Sequence, residues 1–72
     1  MKTFTAYVEY DEETELYVAM VPGITGAHTQ AASLDELKDN LIEVLELCLR
    51  ESGEDIEALP HFVGLQQVEV EV

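Results

Sequence analysis

From Thr3 to Tyr10 the chain alternates between two sets of positions. Phe4, Ala6, Val8 and Tyr10 fall on one face, and Thr3, Thr5, Tyr7 and Glu9 on the other. A period of two, rich in aromatic and β-branched residues, predicts a strand. The acidic run DEETE at 11–15 resists burial and predicts a hairpin connection to a second strand, LYVAMV at 16–21. Pro22-Gly23 ends that strand, and a short third one, AHTQA at about 27–31, completes an antiparallel meander.

The period then changes to that of a helix. Leu34, Leu37, Leu41, Leu45 and Cys48 recur at spacings of three and four, and Ile42, Val44 and Leu49 widen the stripe. Ser33 and Glu36 match the capping box S-x-x-E. Asp35 and Glu36 suit the positive start of the helix dipole, and Arg50 suits its negative end. Ser52-Gly53 predicts the stop. Roughly seventeen helical residues span about 26 Å, the length of about eight strand residues. The expectation is therefore one helix laid along the sheet.

After a polar connection, EDIEALPH at 54–61, comes FVGLQQVEVEV. Val68, Val70 and Val72 alternate with Glu69 and Glu71, which is strand patterning again. The expected order is β-β-β-α-β in a single domain, 1–72, with no second domain and no repeat. Val68, Val70 and Val72 are the candidate oligomer interface. A valine-faced edge strand pairs with another subunit, or else Glu69 and Glu71 serve as edge-blocking charges. A chain of 72 residues buries a marginal core, so small domains take support from disulfides, metals or partners. One cysteine cannot close an internal disulfide, and Cys48 reads as a small core hydrophobe of a reducing compartment. A homo-oligomer, dimer or tetramer, is expected.

Charge narrows the function. Three Lys and Arg face sixteen Asp and Glu, a net charge of −13. Lys2, Lys38 and Arg50 are too few and too dispersed to form a phosphate-binding patch. Direct nucleic-acid binding and attachment to anionic membranes are disfavoured. The acidity fits a surface for a basic partner, plain solubilisation, or adaptation to high salt. The opening MKTFTAYVEY has no apolar signal region, and no run approaches a membrane span. The expected location is cytoplasmic.

The ordered set Tyr17-Val18-Ala19, Val21-Pro22, Gly26, Thr29-Gln30, Ser33-Leu34, Glu36, Asn40-Leu41 and Leu45-Glu46-Leu47 resembles the HicB-like antitoxins of prokaryotic toxin–antitoxin systems. The resemblance covers nearly the whole chain. Ala31-Ala32 stands where that family usually has Gly-Asp, Gly23 and Thr25 replace commoner choices, and Leu37 replaces an alanine. It implies an α+β, partial RNase H-like fold: a three-stranded antiparallel meander, a helix packed on it, and a last strand parallel to the first. It further implies a non-enzymatic module that binds and masks a small basic mRNA-cleaving toxin, HicA-like. The resemblance is to the short, stand-alone form, for which no C-terminal DNA-binding segment is expected.

Catalytic and metal readings fare worse. Glu9, Glu36, Glu43 and Glu69 are candidates for a two-metal carboxylate site, yet the cations to hold a nucleic acid are lacking. His28 and His61 would need Cys48 and carboxylates to complete a zinc site, and Cys48 reads as core-facing. The glycine-containing stretch VPGITGAHTQAASLDEL, 21–37, runs into the helix as phosphate loops do. It lacks the G-x-x-x-x-G-K-[ST] pattern, and Asp35 and Glu36 would repel a phosphate. No catalytic residue, metal or cofactor is expected. The alternatives to the antitoxin reading are a solitary HicB-like oligomer, structural or ligand-binding, and thirdly a metal-dependent nucleic-acid enzyme.

Overall fold

In a computed structural model, which describes residues 2–52 and 59–72, the chain is α+β. Strands β1 (Tyr7–Asp11), β2 (Leu16–Met20) and β3 (His28–Ala31) precede a helix, α1 (Leu34–Ser52). The strands form one antiparallel sheet in the order β1-β2-β3. Strand β1 starts four residues later than the alternation predicts, but its register preserves the predicted faces. Val8 lies opposite Ala19 and Tyr10 opposite Tyr17. Ala19 and Tyr17 belong to the cluster under the helix, so Val8 and Tyr10 share the helix side. Tyr7, Glu9, Val18, Met20, His28 and Gln30 alternate onto the open side.

The hairpin turn is built by its acids. Asp11 accepts twice: its Oδ1 takes the Glu13 N–H at 3.0 Å and its carbonyl takes the Glu15 N–H at 2.8 Å. The first is an Asx-type turn, available to short polar side chains. Closing it puts Glu15 at φ 60°, the left-handed region. Between β2 and β3, the Val21 N–H donates to Ala27 O (2.9 Å) and the Ala27 N–H to Ile24 O (3.2 Å). Gly23 and Gly26, at φ 89° and 81°, make this tight loop. It shapes a turn between strands.

Helix α1 begins as predicted. Ser33 Oγ accepts the Glu36 N–H at 3.2 Å, and Ser33 O accepts that of Leu37 at 2.9 Å. Its first half lies on the sheet, where Leu37, 2 % exposed, sits on Ala19 and Ala31 with Tyr17 and Leu41 packed around them. The two alanines leave room for the helix to approach closely.

Helix and sheet do not match in length. Nineteen helical residues span about 28 Å, whereas a five-residue strand spans about 17 Å. The second half of α1 overhangs the strands and covers a second cluster: Val21, Ile24 and Ala27, with Leu45, Cys48 and Leu49 from the helix and Phe4, Ala6 and Leu59 from the flanks. Cys48 is half-buried there. Leu34 and Ile42, expected in the apolar stripe, are exposed. The predicted helix stop at Gly53, and the connection up to residue 58, lie outside the described residues.

The fourth strand does not form within the sheet. Residues 60–72 carry no strand assignment, and 60–72 are exposed throughout. After Leu59 and Phe62 pack on the body, the chain leads away from it. The radius of gyration is 14.0 Å, against about 11 Å for a compact domain of this length.

Candidate functional site

Three features of the sheet combine at β1. Helix α1 packs on β3 and, less extensively, on β2, and leaves β1 untouched. Asn40 Nδ2 of the helix also donates to the main-chain carbonyl of Gln30 at 3.3 Å, tying down the outer strand β3. Strand β1, at the other border, pairs among the described residues with β2 alone, and all five of its residues are exposed. A free edge of this kind offers unpaired N–H and C=O groups to an incoming strand.

The edge carries exposed Tyr7, Val8 and Tyr10 interleaved with Glu9 and Asp11. On the helix side Val8 is 46 % and Tyr10 51 % exposed, although neighbouring Ala19 is buried. The Tyr10 ring rests on that of its cross-strand partner Tyr17, with centroids 4.9 Å apart at 58°. On the open side a shallow surface runs across Tyr7, Met20 and His28, which stand in one row, and Glu9, Val18 and Gln30 in the next. At the N-terminal end of β1 a cleft of about 270 Å³ lies between residues 2–5 and 59–62, lined by Phe4, Tyr7, Pro22 and His61 among others.

Acidic residues surround these surfaces. Glu9 and Asp11 lie on β1, Glu12, Glu13 and Glu15 on the adjoining turn, and every acidic side chain among the described residues is exposed. The carboxylates weighed as metal ligands occupy different elements: Glu9 on β1, Glu36 and Glu43 on α1, Glu69 in the terminal segment. Among the described residues, no three His, Cys, Asp or Glu groups gather as they would around an ion. His28 stands at the open sheet surface and His61 at the cleft. Val68, Val70 and Val72 are placed on the exposed terminal segment, away from the three-stranded sheet.

The Tyr7–Met20–His28 row and the Phe62 contact were not read from the sequence. The alternation places Tyr7 on the face opposite Phe4. The row depends on cross-strand register, which the 11–15 turn sets between Tyr7 and Met20 and the 21–27 loop sets between Met20 and His28.

No protein-family model and no solved structure matches the chain. Curated relatives do. A UPF0150 protein of Thermotoga maritima is 53 % identical over 70 residues, covering 97 % of this chain and 92 % of the relative. The chain belongs to the UPF0150 family. Other UPF0150 proteins, from Archaeoglobus fulgidus (45 % identical) and Synechocystis sp. (37 % identical), each align over 93 % of both chains. In this UPF0150 chain the matched span takes in the sheet, the helix and most of the terminal segment. No helix among its described residues is long and apolar enough to cross a membrane.

Proposed function

We propose that this UPF0150 chain is a HicB-like, non-enzymatic binding module of the cytoplasm, which binds and masks a small basic mRNA-cleaving toxin. The observation that carries the reading is the exposed strand β1, with Tyr7, Val8 and Tyr10 beside Glu9 and Asp11, and the acidic turn that continues it. A toxin that grips RNA must present cations around a groove. Glu9, Asp11, Glu12, Glu13 and Glu15 would meet those cations, while exposed Tyr7 and Met20 on the open face would supply apolar contact. A net charge of −13 would also speed encounter with such a partner.

The finer fold reading belongs with this proposal. A fourth strand beside β1 would give the partial RNase H-like β-β-β-α-β arrangement, and the open β1 border supports it. The second reading, a solitary oligomer without a toxin, draws on the exposed valines of the terminal segment.

The test is co-expression with a small basic ribonuclease encoded beside this chain. Rescue of growth, co-purification of the two proteins and loss of RNA cleavage on titration are expected. A toxin that stays active at saturating chain concentration would overturn the proposal.

A further inference from the structure

We infer that residues 68–72 form the missing fourth strand on β1 of a second copy of this chain, in a reciprocal exchange of C-terminal arms. This holds whether or not a toxin is bound, and three observations lead to it.

The first is surface. The chain exposes 6203 Å², whereas a compact monomer of 8.0 kDa exposes about 4,500 Å². The excess of about 1,700 Å² per chain is about twice the 800 Å² or so that each partner of a standard stable interface buries. It lies largely where the arm leaves the body: Val63 is 94 %, Leu65 83 %, Val68 73 % and Val70 72 % exposed.

The second is register. Phe62 is held against Tyr7, the first residue of β1. If the chain ran on along its own β1, residues 62–66 would lie opposite Tyr7–Asp11, because strands advance about 3.3 Å per residue. That stretch is FVGLQ, and Gly64 has nothing within 4 Å of where a Cβ would sit. The patterned VEVEV would overshoot β1 and set Glu69 and Glu71 beside the acidic 12–15 turn. On a second copy this constraint vanishes. Residues 68–72 then lie opposite 6–10, four of which belong to β1, with Val70 beside Val8.

The third is chemical fit. With Val68, Val70 and Val72 on the helix side, the arm covers Val8 and Tyr10, the exposed apolar residues of that face. Glu69 and Glu71 then point to the open side and stay in water. The helix already packs on β3, and β1 is the strand it leaves uncovered.

Two experiments on the full chain test the exchange. Sedimentation should give at least twice the chain mass, and Val70→Asp should reduce it to one chain while helical circular dichroism persists. Then, in a Cys48→Ala background, chains carrying only Val8→Cys are mixed with chains carrying only Val70→Cys under oxidation. A covalent heterodimer is expected. The exchange is overturned if single variants fail to cross-link and the double variant closes within one chain, if the wild type stays monomeric at high concentration, or if the dimer survives Val70→Asp unchanged.

Discussion

The ring of Phe62 meets the ring of Tyr7 edge-on, with centroids 6.0 Å apart and planes at 80°. This contact fixes where the C-terminal arm leaves the body, at the N-terminal end of β1. Edge-to-face pairs contribute about 0.5–1.5 kcal/mol beyond the area they bury. Phe62→Ala should lower urea stability by about that much and weaken association, because a loosened arm root costs more entropy to order. Phe62→Tyr keeps the ring and should be close to neutral.

Leu37 is the most buried side chain of the cluster between helix and sheet. Leu37→Ala leaves a cavity against two alanines that cannot expand to fill it, at a cost of about 2–5 kcal/mol. Small domains have little stability in reserve. Loss of cooperative thermal unfolding by circular dichroism is the expected result. Leu34→Ala, on an exposed position of the same helix, should change stability by about 0.5 kcal/mol or less.

Glu15 holds a left-handed conformation at the end of an acidic turn. Glu15→Gly relieves the backbone strain and removes one charge from the cluster, offset in part by glycine's greater unfolded-state freedom. The expected gain is up to about 1 kcal/mol by denaturant titration. Glu15→Val, β-branched at the same position, should destabilise.

Ser33 caps the helix through Glu36. Ser33→Ala should cost about 1 kcal/mol, and Ser33→Asp should recover most of it by accepting the same N–H and adding a favourable charge. The measurement is the midpoint of thermal unfolding for the three proteins.

Salt should act in opposite directions on the two associations. Each copy carries −13, so joining copies is opposed by repulsion that added salt screens, and self-association should tighten as NaCl rises. Binding to a basic toxin rests on attraction and should weaken over the same range. Sedimentation for the first and calorimetry for the second would show the contrast.

Local chemistry made much of the fold legible in the sequence. The alternation of Phe4 through Tyr10, the S-x-x-E cap and the Pro-Gly break are each settled by neighbours a few residues away. The open β1 edge and the valine arm were partly legible too, because Val68, Val70 and Val72 sit in a pattern that calls for a partner strand. The alternation alone does not say which strand, whereas the family resemblance implies the first.

The sequence by itself determined three strands, one capped helix and an acidic surface, because alternation, capping and charge act over short distances. Only the tertiary structure decided that the helix overhangs a short sheet and splits the core into two clusters. It alone leaves β1 bare, ties β3 to Asn40 and pins Phe62 to Tyr7. These depend on register and on the reach of the loop between β2 and β3, long-range geometry that no local pattern encodes.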